Sequence, residues 1–241
     1  MDMHKEVMNK AVIRNEEFKE ILEPISEIPS MIDWEPTLEN FSYAREEDVG
    51  AFPGREGLDL DWITSDEYLQ KIMDAGRGHN GYPDGLLGVA PHPGDGGDRT
   101  IVWKEGINRP AEMVKERVLE LTQFTGVRNR ALTTIYPPGG GIGWHNNANA
   151  SAYNVIITWS EKGDGFWEHV DPVSRKRVVI PDVAGWQCKY GFFGSYEDGP
   201  LSLCYHRART NCMRMTLGFT FDRSENGKKM AEMLIEEIQT P

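Results

Sequence analysis

The sequence has no apolar run approaching the roughly 18 residues that a membrane-crossing helix requires. Its opening segment scatters Lys, Glu and Arg among isolated apolar positions, unlike a secretory signal. Cysteine is scarce. Cys188, Cys204 and Cys212 cannot all pair and share no CxxC spacing, which argues against a disulfide framework and implies reduced thiols in a cytoplasmic protein. Positive charge is also in short supply: 26 Lys and Arg against 38 Asp and Glu leave a net charge of −12. Such a surface lacks the basic footprint of nonspecific nucleic-acid binding, although a local run such as Arg175, Lys176 and Arg177 keeps a nucleic-acid partner from being excluded. A small molecule or a peptide is the simpler partner, and no membrane partner is expected.

What is present is ordinary for a soluble globular chain of 241 residues, with 39% apolar and 27% charged residues. The spacing of Val7, Ala11, Phe18, Ile21 and Leu22 predicts a helix over 4–23, stopped by Pro24. Residues 24–62 read as irregular. A second helix is expected over 65–75, with Thr64 and Glu67 as its capping box and Gly76 at its end. Residues 76–98 hold so many Gly, Pro and Asp that they form a long functional loop or a flexible connection. His79 and His92 lie in it and read as solvated. Pro110 opens a third helix, 110–125, with Ala111, Val114, Val118 and Leu121 as its stripe and Gly126 as its stop.

From 129 to 222 the character changes. Short β-branched and aromatic runs at 129–136, 153–159, 165–170, 176–180, 186–193 and 212–221 alternate with turns, the pattern of an antiparallel sandwich or barrel. A last helix carries Met230, Leu234 and Ile238. The fold class is therefore α+β, with helices packed on an all-β core. Residues 1–98 are expected to be a helical and irregular N-terminal extension, and 99–241 the main domain.

Three segments carry candidate chemistry. In IYPPGGGIGWHNNANAS, residues 135–151, two prolines and three glycines force a turn, and His145 follows it. In LCYHRARTN, His206 follows a strand-like run. In NCMRMTLGFTFD, the residues Met213, Met215, Leu217, Phe219 and Phe221 share one strand face, leaving Arg214 and Thr216 together on the other. An inward arginine needs an anion; Arg214 and Thr216 suit one carboxylate, while the plainer alternative is an internal ion pair with Asp or Glu. Cys204, two residues before His206, is a small apolar residue before it is a ligand. Phe166, Trp167, Trp144, Trp159 and Trp186 line a pocket or fill the core, the core being commoner. His169 reads as exposed or structural.

The order Gly-rich turn, His145, His206, Arg214-x-Thr216 resembles the iron(II)- and 2-oxoglutarate-dependent oxygenases over about residues 110–222. Tyr136, at the end of the first core strand, and the Pro181–Trp186 turn fit the same resemblance. It implies a double-stranded β-helix, or jelly-roll, core with flanking helices. It also implies Fe(II) and 2-oxoglutarate as cofactors, His145 and His206 as metal ligands, and Tyr136, Arg214 and Thr216 on the cosubstrate. The expected activity is a dioxygenase that hydroxylates a small molecule or a peptide side chain. One position departs from the pattern: Asn147 stands where the family places a carboxylate ligand. Either Asn147 binds through its carbonyl oxygen, or Asp164 or Glu168 substitutes, or the position admits water or an anion, or the site binds without turnover. A non-redox, cupin-like metal enzyme and an inactive binding protein are the rival readings.

Overall fold

The structure, a computed structural model, describes residues 8–47, 59–79, 81, 83–91, 101–107, 110–127, 130–148, 153–199 and 202–241. The N-terminal part contains β1 (Asn9–Ala11), α1 (Glu16–Ser26), α2 (Ile28–Met31), β2 (Ile32–Asp33), α3 (Trp34–Glu47), α4 (Leu60–Ile63) and α5 (Asp66–Ala75). After β3 (Leu86–Leu87) and β4 (Val102–Trp103) comes α6 (Pro110–Thr125), bounded as its stripe and caps predict. The rest is β5 (Arg130–Tyr136), β6 (Gly141–His145), β7 (Tyr153–Ser160), β8 (Gly165–Val170), β9 (Arg177–Pro181), β10 (Gly185–Phe192), β11 (His206–Thr210), β12 (Arg214–Phe221) and α7 (Glu225–Gln239).

Helices accompany two five-stranded sheets, ordered β1-β10-β7-β12-β5 and β3-β6-β11-β8-β9. Every pairing in them is antiparallel. From β5 onward the chain alternates between the sheets, crossing at each turn except the β8–β9 hairpin. Each sheet therefore has two faces to bury. On the first, Ile157, Met215, Leu217 and Phe219 lie in a core cluster with Phe18 and Leu22 of α1, Leu121 of α6 and Ile235 and Ile238 of α7. Between the sheets sit Tyr136, Ile142, Ile156, Trp167 and Phe193. Under α4 and α5, Trp144 and Tyr205 join Ile63, Tyr68 and Ile72. Fully burying each such side chain stabilises the fold by about 1.5–3 kcal/mol.

Several expectations are corrected. The 4–23 helix is two elements, because Asn9–Ala11 find sheet partners in Cys188–Tyr190 and Asn15 starts a new helix by accepting from the Phe18 N–H at 2.9 Å. Pro24 lies inside α1 rather than ending it. The 24–62 stretch is largely helical where described. Ser65, not Thr64, caps α5, its hydroxyl accepting from the Tyr68 N–H at 3.1 Å. Strand β6 falls where the sequence reads as a turn, and β11 starts at His206, after the strand-like Leu203–Tyr205 run rather than within it; the two strands pair with each other. In the Gly/Pro-rich stretch, Leu86 and Leu87 pair with β6 and Val89 bridges Ile135; His92 lies outside the described residues.

Candidate functional site

The register of the second sheet brings three histidines into one row. His206 on β11 stands opposite His145 on β6 and opposite His169 on β8. The His145 and His206 rings have centroids 4.1 Å apart, and both side chains are buried. Each ring is oriented by its own backbone: His145 Nδ1 lies 2.8 Å from the Gly143 carbonyl, and His206 Nδ1 lies 2.9 Å from the Cys204 carbonyl. Carbonyls only accept, so both Nδ1 atoms carry the proton and both Nε2 atoms keep a free lone pair. That is the tautomer a metal-binding histidine uses. Burial pushes the His145 pKa down to about 4 and holds His206 well below its ordinary value, with the neighbouring ring adding to the latter shift. Both rings are therefore neutral near pH 7.

Asn147 follows at a left-handed turn, φ 62°, a conformation in which Asn and Asp are the tolerated non-glycine residues. The backbone N–H groups of Asn146 and Asn147 both donate to the Gly81 carbonyl, at 3.2 and 2.7 Å, which fixes the turn against the N-terminal part of the chain. Asn147 lines a cavity of about 70 Å³ together with His145, His206, Trp167 and Phe193, and Tyr136, Arg214 and Thr216 line the same cavity. All six sequence-predicted residues thus line one space.

Neither substitute carboxylate reaches it. Glu168 points to the other face of β8, where Arg207 Nε donates to it at 2.6 Å and Arg177 Nε at 3.1 Å. Asp164 sits beyond the opposite end of β8 from His169, roughly 16 Å away at the rise of an extended strand, and accepts from Asn211 Nδ2 at 3.2 Å. Among the described residues no group of three or more His, Cys, Asp or Glu is arranged to hold a metal ion. Among the described residues no further His, Cys, Asp or Glu thus joins His145 and His206 as a third donor, and the Asn147 side chain lines the same cavity.

Arg214 has the internal ion pair that sequence allows as the plainer alternative. Its Nε donates to Asp182 Oδ2 at 2.8 Å and its Nη1 to the Thr216 hydroxyl at 2.6 Å. Asp182 accepts a second cation, Lys189, at 3.0 Å. The Asp182, Lys189 and Arg214 side chains are 0%, 1% and 2% exposed, so this is a buried cluster of one anion and two cations. Burial raises the Asp182 pKa, but the two cations overcome that and hold it below the usual carboxylate range. Burial lowers Lys189 to about 8 against the pull of Asp182, leaving it charged at neutral pH. The sum is one uncompensated positive charge beside the cavity, with the Arg214 guanidinium 5.5 Å from the Tyr136 ring centre. A buried net charge is costly unless something pairs with it.

Sequence reading missed Asp182 and Lys189. The signal was present: Cys188 and Tyr190 are apolar and face the helices, so Lys189 between them must face inward, as Arg214 does. The expectation for His79 is corrected, and that for His169 resolves to its structural alternative. His79 is buried, not solvated, with Nδ1 accepting from the Gly81 N–H at 3.1 Å. His169 is buried, its ring 4.8 Å from Trp167 and its Nδ1 without a partner among the described residues. Cys204 is a core residue whose thiol burial pushes well up, and Trp144 fills the core with its Nε1 donating to the Thr64 carbonyl at 3.2 Å.

No protein-family model and no curated protein matches the chain. Solved structures that resemble it include a Pseudomonas putida prolyl-4-hydroxylase, at TM-score 0.30 and 15% identity, covering 74% of this chain and 97% of that one. A Burkholderia pseudomallei oxidoreductase of the 2OG-Fe(II) oxygenase family aligns at TM-score 0.30 and 15% identity over 66% of this chain and 80% of that one. A viral collagen prolyl hydroxylase from Paramecium bursaria Chlorella virus-1 aligns at TM-score 0.28 and 10% identity over 65% and 89%. The structural neighbours are thus 2-oxoglutarate oxygenases, at a similarity too low to define family or activity. Among the described residues no helix is long and apolar enough to cross a membrane.

Proposed function

We propose that the chain is an iron(II)- and 2-oxoglutarate-dependent oxygenase, built as a double-stranded β-helix over 99–241 with 1–98 packed on it as an extension. The observation that carries this reading is the shared cavity. Two neutral histidines with free Nε2 atoms stand at one part of it, and a buried cluster with an unbalanced positive charge stands at another. Alternation of successive strands between two antiparallel sheets supports the β-helix.

The residues fit the group. His145 and His206 would hold iron(II) through Nε2, and the Asn147 amide oxygen would be the third donor. Arg214 and Thr216 would receive the far carboxylate of 2-oxoglutarate, neutralising the charge that Asp182 leaves over on Arg214 and Lys189. When bound, iron, 2-oxoglutarate and oxygen supply the oxidising power to hydroxylate a C–H bond. The chain's own part is to fix the ligands, through the Gly143 and Cys204 carbonyls, and to keep water from the reacting atoms with Trp167, Phe193 and Ile142. A cavity of about 70 Å³ is far below the roughly 300–1,000 Å³ of drug-sized sites. The molecule to be hydroxylated, a small molecule or a peptide side chain, therefore has its main contacts elsewhere.

Anaerobic titration with iron(II) and 2-oxoglutarate tests the reading. The expected result is a visible metal-to-ligand charge-transfer band that R214A weakens. Metal binding without a band would instead favour a non-redox barrel or an inactive binding protein, the reading that the neutral Asn147 favours.

A further inference from the structure

A larger cavity, of about 460 Å³, is walled by Met73, Arg77, Arg175, Tyr196 and Tyr205. Its volume falls within the range of organic-ligand sites. Its walls combine two cations with two aromatic rings, in a chain whose net charge is −12. Arg177, Arg207, Arg209 and Arg223 are each neutralised by a carboxylate. Arg77 and Arg175 form no ion pair among the described residues. Arg77 Nη2 donates to the Tyr196 carbonyl at 2.9 Å with its guanidinium 6.0 Å from the Tyr196 ring centre, and Arg175 Nη2 rests 3.8 Å from Met73 Sδ. Both arginines are exposed yet kept in place by weak partners.

Arg175 is also held in an unusual backbone state. Its φ is 56°, a left-handed conformation uncommon for a long side chain. The β8–β9 turn imposes it: Arg175 N–H donates to the Asp171 carbonyl at 2.9 Å and Ser174 N–H to the Asp171 carboxylate at 2.6 Å. Such outliers persist where surrounding structure over-determines them, and they gather at functional sites.

The cavity has no lining residue in common with the histidine site and lies on the other side of the chain: Leu203 and Tyr205 face it, whereas Cys204 and the His206 ring face Trp167 and Phe193. The Tyr196 hydroxyl accepts from Asn146 Nδ2 at 3.2 Å and lies 2.9 Å from the His79 carbonyl, while Tyr205 directly precedes His206. Asn146 itself sits between His145 and Asn147.

We propose that this cavity is a second ligand site, taking an organic oxyanion (a carboxylate or a phosphate carried on an aromatic or planar body). Arg77 and Arg175 pair with the anion, and Tyr196, Tyr205 and Met73 cover the body. The site stands independently of the oxygenase reading.

The test titrates benzoate, phenyl phosphate and neutral benzyl alcohol into the metal-free chain, wild type and R77Q/R175Q, by calorimetry or ligand-observed NMR. At least one anion is expected to bind tenfold or more tightly than the alcohol, and the two anions' relative affinities identify carboxylate or phosphate. The double variant is expected to lose that tenfold while keeping the wild-type melting temperature. Because Arg214 is intact in that variant, anion captured there does not enter the difference. Equal binding of anion and alcohol, or of wild type and variant, overturns the site.

Discussion

At the scale of single residues, two side chains carry opposite lessons. Asn147 would offer a metal a neutral donor, so a metal held by it would keep more of its charge and be bound less tightly than by a carboxylate. Because its left-handed backbone also tolerates aspartate, N147D is expected to fold normally. It should raise iron(II) affinity at least tenfold in a competition assay; an unchanged affinity would place Asn147 outside the coordination sphere. Asp182, by contrast, is the shared counter-ion of two buried cations. D182N should lower unfolding free energy by about 3–5 kcal/mol, since removing one member leaves buried charge unpaired. Glutarate or 2-oxoglutarate should restore part of that loss in a melting experiment by supplying the missing anion.

At the scale of elements, the site depends on contacts between the N-terminal segments and the sheet. Gly81 holds the Asn146–Asn147 turn through its carbonyl, and its φ is 81°. A Cβ built there would lie 2.3 Å from the Ala148 nitrogen, a clash with backbone that no rotamer relieves. G81A is therefore expected to cost about 1–3 kcal/mol in denaturant unfolding. It should also weaken metal binding by displacing Asn147. A variant with native stability and native metal affinity would show that this contact is dispensable.

At the scale of the whole molecule, burying histidines neutral makes stability depend on pH. Burial holds His169 at about 4, against roughly 6.5 for an unfolded histidine. The unfolded chain then binds more protons between those values, so stability is full above about 6.5 and falls as pH drops towards about 4. The shifts of His145 and His206 act in the same direction in the metal-free chain. Chemical denaturation at pH 7.5, 6 and 5 should show this decline, shallower in H169Q. A pH-independent midpoint would mean that these rings are hydrated in solution.

The amino-acid sequence by itself determined the elements with strong local signals. Helix α6 follows from its stripe and caps, and β12 from its strict alternation, which already places Arg214 and Thr216 on one face. The period of a strand decided only that Arg214 and Thr216 share a face; the other four residues that meet at the cavity, Tyr136, His145, Asn147 and His206, came from the family resemblance. The sequence left β1 inside a helical spacing, since three residues pairing with Cys188–Tyr190 owe their conformation to a partner far along the chain. Only the tertiary structure decided that Arg214 has a resident counter-ion in Asp182 and a companion in Lys189. Only it separated Glu168 from the metal position, and only it buried His79 and His169. Register between strands distant in sequence, unlike periodicity within one, is set by long-range pairing and burial. That is why faces were legible residue by residue and neighbours were not.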